Sequence, residues 1–253
     1  MTTHTWTARA VVYGVVAFVA AGLLGAVQPE TGIPAEVVQL TQFGPALGVA
    51  AVALRWPAGT RRLLTASGTR QDSGWPLLAT PFLVIALSAG PYALLTGTAH
   101  VTDPRSLQHP FVLVAVAQLA GACGEEIGWR CFLQPLLRTR CGPLTTSVAV
   151  GAVWGLWHVR VLAEAPAYAA GFLLATVAMS VVLGLALDGT GTGRQRLLLA
   201  GGFHALVNLG MLLFMDEETG RTPPMVLFGL ACALAAALWV WRERTVTIPR
   251  TAS

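Results

Sequence analysis

An all-α polytopic membrane protein is the fold class this sequence predicts, and three observations predict it. Only 11% of its 253 residues are charged, against about a quarter in soluble domains, and mean hydropathy is +0.64. Eight apolar segments can be marked, at about 10–27, 36–54, 75–97, 110–136, 143–162, 166–187, 196–215 and 224–241. Most approach the roughly 20 residues a spanning helix needs. The third observation is where the arginines fall.

Arg9 precedes the first segment. Read as a signal peptide, that segment would end at Gly25-Ala26-Val27, a poor cleavage site, so a retained helix is expected. Arg55, Arg61, Arg62 and Arg70 lie between segments two and three, and Arg138 and Arg140 between four and five. Arg194 and Arg196 adjoin the start of segment seven, and Arg242, Arg244 and Arg250 follow segment eight. These 12 belong to one side; the alternate loops hold only Arg105, Arg160 and Arg221, with Asp216, Glu217 and Glu218. Such a bias predicts both termini on the cytoplasmic side of a cell membrane.

The chain reads as one transmembrane domain over 1–253, too short for a soluble domain of ordinary size beside it. All 16 basic residues are arginine, which with much alanine and glycine suggests a GC-rich, bacterial genome. The pI near 9.2 does not argue for nucleic acid, because the arginines serve topology. Cys123, Cys131, Cys141 and Cys232 lack metal-ligand spacing and read as small packing residues.

Chemistry enters in segment four. Phe111 to Cys123 is almost wholly apolar; Glu125, Glu126 and Arg130 then interrupt it. Ionisable groups at membrane depth cost about 2.5–3.5 kcal/mol each on insertion scales and mark a polar site, a pair or chemistry. Glu126 and Arg130 are four apart with the acid first, the favourable order for an ion pair on one helix face. Glu125 points elsewhere, one turn from Trp129, with no cation at i+4. Different surroundings suit different roles, so Glu125 is the candidate general base and Glu126 a structural anchor.

Two further elements supply partners. Trp154 and His158 share a face at i, i+4, and Gly151 with Gly155 forms a GxxxG pair that admits a neighbouring backbone. His204 and Asn208 share a face in a segment otherwise apolar from Leu197 to Met215, and Gly201 and Gly202 precede them as sites of close packing. A lone histidine such as His158 is more often an interface residue than a catalyst, and His204 with Asn208 could serve as interhelical glue, a reading that two groups facing one direction weaken. By helix rise, Glu125 lies about 20 Å from Arg138, His204 about 12 Å from Arg196 and His158 about 22 Å from Pro143. Those depths differ, so convergence requires tilted helices or a fifth helix starting near Ser147.

Glu125-Glu126-x3-Arg130, an aromatic-x3-His from Trp154 to His158, and His204-x3-Asn208 resemble, in order and spacing over about 118–212, the CPBP intramembrane glutamic endopeptidase family. That family comprises the CAAX prenyl proteases and the bacteriocin-processing, Abi-like proteins. Gly-Thr-Gly-Thr-Gly at 189–193 is also similar. The resemblance implies eight transmembrane helices around a polar intramembrane cavity and peptide hydrolysis with no obligatory metal. It implies that Glu125 with His158 activates a water, that His204 and Asn208 steady the oxyanion, and that Glu126 and Arg130 support the site. Trp154 stands where the family often has Phe, and Val159-Arg160 where Leu-Pro is usual, which bears on where that helix ends.

Two alternatives stay open. Glu125, His158 and His204 form a plausible zinc set, although no HExxH pairing is present. The chain could instead be a non-enzymatic membrane scaffold, an immunity protein or a proton-relaying transporter. The expected partners are the lipid bilayer and a peptide or membrane-protein substrate.

Overall fold

The computed structural model describes residues 3–68, 74–99, 101–215 and 221–247. Arg70, Arg250 and the acidic run Asp216–Glu218, used above for topology, lie outside them. The described residues form helices and turns only: α1 Thr3–Val27, α2 Gly44–Arg55, α3 Pro57–Thr65, α4 Trp75–Thr96, α5 Phe111–Gly128, α6 Gln134–Arg138, α7 Pro143–Trp157, α8 Pro166–Leu187, α9 Gly193–Phe214 and α10 Thr222–Thr247. A π-helical turn, Trp129–Leu133, joins α5 to α6 without a break.

Sequence chemistry sets many of these limits. Proline occupies the first turn of α2, α3, α4, α6, α7 and α8, where its missing N–H has no helical partner to lose. Thr192 caps α9, its hydroxyl accepting from the Gln195 N–H at 3.2 Å.

Six helical stretches among the described residues are long and apolar enough to cross a membrane: Thr3–Thr31, Trp75–Thr96, Phe111–Arg138, Pro166–Leu187, Gly193–Phe214 and Thr222–Thr245. The other two expected segments are helical but short. The segment marked at 36–54 becomes helix only at Gly44, giving 12 residues, and that marked at 143–162 stops at Trp157 after 15. At 1.5 Å per residue these reach about 18 and 22 Å, under the 30 Å of a hydrocarbon core. The residues before α2 fold instead into 3-10 turns, Gln28–Thr31 and Leu40–Phe43. Beyond α7, His158 leaves the helix (φ −78°, ψ 60°) and a 3-10 turn follows, Val159–Ala163.

Packing runs from neighbour to neighbour: α1 on α2, α2 on α5, α5 on α9, α9 on α4, α4 on α10, α10 on α8 and α8 on α7. The Trp157 indole N–H then returns from the end of α7 to the Ala17 carbonyl of α1 at 3.3 Å. The most deeply buried stretches are Gly128–Leu133, through the π-helical turn, and Ala178–Leu187 in α8. Outward-facing apolar side chains such as Leu54, Leu94 and Val112 are 73–89% exposed, as expected of surfaces that meet lipid.

Five of the arginines, Arg9, Arg55, Arg138, Arg140 and Arg196, lie toward one end of the bundle. The Trp6 indole N–H donates to Leu136 O, Arg140 lies over Trp6, and Arg9 and Arg55 lie over Trp56. Arg138 meets Asp188 at 2.9 Å, and Arg196 donates to Ala66 O. One end of the bundle therefore carries the start of α1, the α2–α3 junction, the end of α6 and the turn into α9. The opposite end carries Arg221 against Tyr92, and the Thr102 N–H bound to Leu213 O.

Candidate active site

The three motif-bearing elements meet at one level. Trp154 is eleven residues into α7 and His204 eleven residues into α9. Because α9 begins at Gly193 rather than near Arg196, His204 lies deeper than the sequence spacing indicated, and the expected mismatch of depth narrows. Glycines set the approach of the helices. A Cβ on Gly151 would stand 2.6 Å from Val177 Cα, and one on Gly155 2.7 Å from Leu173 Cδ2, so α7 and α8 touch as the GxxxG pair predicted. A Cβ on Gly201 would stand 2.5 Å from Cys123 Sγ, which seats α9 on α5, whereas one on Gly202 would meet only ordinary contact.

Glu126 and Arg130 pair as their spacing predicted, Arg130 Nε lying 3.0 Å from Glu126 Oε2 with both side chains buried. Arg130 is held further: its Nη1 donates to Ser180 Oγ at 2.8 Å and to Gln134 Oε1 at 3.3 Å, and Ser180 Oγ donates to Ser147 O. Arg130 sits in the π-helical turn, whose signature is the Gln134 N–H bonding to Trp129 O five residues back. The other oxygen of Glu126 accepts from His204 Nδ1 at 3.0 Å.

Glu125 departs from expectation. The indole of Trp129 packs against Tyr13 and Trp157, with ring centroids 5.7 and 5.9 Å away. The indole that meets Glu125 is that of Trp154, donating to Glu125 Oε2 at 2.8 Å, while Gln42 Nε2 donates to Oε1 at 3.3 Å. Glu125 is buried, and both its carboxylate oxygens are held by neutral donors.

Trp154 is thus the hub. Its ring lies 5.1 Å from that of His204 and under the Arg130 guanidinium at 5.2 Å. Its carbonyl lies 2.9 Å from His158 Nδ1. A carbonyl only accepts, so Nδ1 of His158 carries the proton and the lone pair sits on Nε2. His158 is fixed on its other sides by the rings of Trp157 and Phe172. Asn208 Nδ2 donates to Gln118 Oε1 of α5 at 3.1 Å, so His204 and Asn208 face α5 together, as their i, i+4 spacing implied.

Burial divides the constellation. Glu125, Glu126, Arg130, Trp154 and His204 are buried, whereas His158, Asn208 and Gln118 are half-buried. Among the described residues no three His, Cys, Asp or Glu side chains are grouped so as to hold a metal ion. All four cysteines are free thiols. Sequence reasoning passed over Gln42, Gln118, Gln134 and Ser180. Their signal was available: each is a polar residue within an apolar stretch.

Residues 107–210 match the model of the type II CAAX prenyl endopeptidase Rce1-like family. The chain is 28% identical over 142 residues to CAAX prenyl protease 2 of Methanococcus maripaludis, covering 51% of this chain and 51% of that protein. It is 22% identical over 163 residues to lysostaphin resistance protein A of Staphylococcus aureus, covering 64% of this chain and 38% of that one. The chain thus spans about half the length, or less, of these curated relatives. Every motif residue, from Glu125 to Asn208, falls inside the matched stretch. Over residues 107–210, the stretch that holds the whole motif set, the chain is therefore similar to the Rce1-like CAAX prenyl endopeptidase family.

Proposed function

We propose that this chain is an intramembrane peptidase that cleaves a peptide bond with a water activated by Glu125 and His158. The observation that carries the reading is Trp154, one residue that ties Glu125, His158, His204 and Arg130 together. Amide hydrolysis needs a base for water and donors aimed at the developing oxyanion. Each Glu125 oxygen keeps a lone pair beyond the N–H it already accepts, and His158 Nε2 offers a second acceptor. The half-buried amide of Asn208 has one N–H left after Gln118 and serves the oxyanion. His204 faces Glu126 with Nδ1, so its oxyanion contact runs through Nε2–H of the imidazolium, with Glu126 as counter-ion. Glu126 and Arg130 hold the frame.

The substrate is a peptide or a membrane-protein segment, and the chemistry is assigned to side chains alone, without a metal. We read the chain as crossing the membrane eight times, with α2 and α7 as short crossings and both termini cytoplasmic. Eight crossings place 12 arginines on one side against three; counting only the six long stretches would remove that bias.

The experiment compares peptide termini in cells carrying native or Glu125→Gln protein, then uses a fluorogenic peptide built on a terminus that depends on Glu125. Glu125→Gln should leave the protein folded and lower kcat at least about 10³-fold. A chelator should leave the native rate unchanged. Full cleavage by Glu125→Gln would remove the catalytic assignment. Loss in chelator with recovery on adding zinc would replace water activation by side chains with metal chemistry.

A further inference from the structure

We propose that Gln42, from a part of the chain outside the matched family segment, is a positioning residue that fixes the carboxylate plane of Glu125. The inference rests on the reading of Glu125 as general base.

Three observations carry it. Gln42 is only 6% exposed and stands on the 3-10 turn Leu40–Phe43, where a membrane segment would ordinarily be continuous helix. Its Nε2, the donor nitrogen of the side chain, reaches Glu125 Oε1 across 83 residues of sequence. The seat is shaped for it. A Cβ on Gly121 would overlap the Gln42 amide, and one on Gly124 would stand 2.8 Å from Phe43 Cδ1 and 3.1 Å from Gln42 O. Any larger residue at either position would push the turn off α5.

The turn is in turn anchored from behind. The buried Gln28 side chain donates to Val38 O at 2.8 Å and accepts from the Leu40 N–H at 2.9 Å, closing the loop between α1 and the turn. Buried polar groups of this kind are held where they specify one arrangement. Here that arrangement delivers one amide N–H to one oxygen of Glu125. With Trp154 on Oε2, the carboxylate cannot rotate, and its remaining lone pairs point in fixed directions toward the water it must deprotonate.

The test uses the full chain in detergent with the Glu125-dependent fluorogenic peptide, and measures kcat, KM, pH–rate profile and unfolding midpoint for Gln42→Leu and Gln42→Glu. Gln42→Leu keeps the bulk and removes the donor. The expected result is a fall in kcat of about 10–100-fold with KM within about twofold. The acid limb of the kcat profile should move to higher pH, because the carboxylate loses a donor that favours its charged form. Gln42→Glu sets a second carboxylate against Oε1 and should move the limb further the same way.

The charged and titratable groups around Glu125 are Glu126, Arg130, His158, His204 and Tyr13. None is altered by Gln42→Leu, so a limb shift in that variant reports the lost donor. An unshifted profile in Gln42→Leu overturns the proposal, whether kcat is unchanged or falls only with the folded fraction. Glu125→Gln in parallel separates the two readings. If it still cleaves, the general-base reading fails. If it is inactive while Gln42→Leu keeps the native profile, only the role of Gln42 fails.

Discussion

Arg130→Met should be among the most damaging single changes in this protein, and the structure supplies its own control. Arg130 and Glu126 meet at 3.0 Å with side chains 1% and 0% exposed; Arg138 and Asp188 meet at 2.9 Å with side chains 31% and 37% exposed. The second pair has the better geometry, since Nε and Nη2 of Arg138 bind both oxygens of Asp188. Burial must decide between them. For unit charges about 4 Å apart, Coulomb attraction at an effective dielectric of 20 is about 4 kcal/mol, and in water it falls to about 1. Removing one partner of a buried pair costs roughly 3–5 kcal/mol because the other charge is stranded. A half-exposed pair is worth about 0–1 kcal/mol. Arg130→Met also frees Ser180 Oγ and Gln134 Oε1 and strips the cation from the face of Trp154, leaving Glu126 only His204. The expected loss is therefore about 3–5 kcal/mol, against at most about 1 for Arg138→Met. Unfolding midpoints in one detergent, over a denaturant series, measure both. Glu126→Leu combined with Arg130→Met should recover more than half of the single loss, since no charge is then stranded opposite a missing partner. Equal destabilisation by Arg130→Met and Arg138→Met would refute the argument from burial.

Two further outcomes follow from the same contacts. Trp154→Phe keeps the ring beside His204 and Arg130 but removes the N–H from Glu125 Oε2, so kcat with the fluorogenic peptide should fall about 10–100-fold, with KM within about twofold. Gly151→Leu forces α7 away from α8, where the new Cβ would stand 2.7 Å from Ser180 Cβ, and should lower the unfolding midpoint and abolish cleavage together. Gly14→Leu, with nothing within 4 Å of its Cβ, is the matched control and should change neither measurably.

What the sequence made legible was whatever repeats along one helix. The Glu126–Arg130 pair, the shared face of His204 and Asn208, and the Gly151–Gly155 seat all follow from 3.6-residue periodicity, and each is present. What it hid was which helix answers which. Trp129 and Trp154 are equally plausible neighbours for Glu125 on paper; the choice is made in three dimensions, because Trp129 is taken up between Tyr13 and Trp157. Gln42 stood out as a polar residue, but its partner was hidden for a related reason. Its segment reads as apolar enough to be helix, and only the docking of its turn onto the glycine face of α5 turns an unremarked amide into a partner of the site. The shortness of α2 and α7 was likewise hidden, since hydropathy extends beyond the helices themselves, into the 3-10 turn Leu40–Phe43 ahead of α2 and past His158, where α7 leaves helical geometry.

The way charge is divided between the two adjacent glutamates bears on how a membrane-buried site can work at all. A general base must gain a proton and release it in each cycle. A carboxylate locked to a guanidinium would lose an ion pair each time it did so, and in a low-dielectric interior that loss is several kcal/mol. Glu126 carries that lock, together with the contact to His204. Glu125, one residue away and pointing in another direction, is held only by the neutral N–H groups of Trp154 and Gln42. Those bonds orient it yet cost far less to weaken when the carboxylate is neutralised. Adjacent positions on one helix thus separate a carboxylate locked in an ion pair from one held by neutral donors. The proposed mechanism needs that separation, and a single glutamate in the same stretch could not provide it.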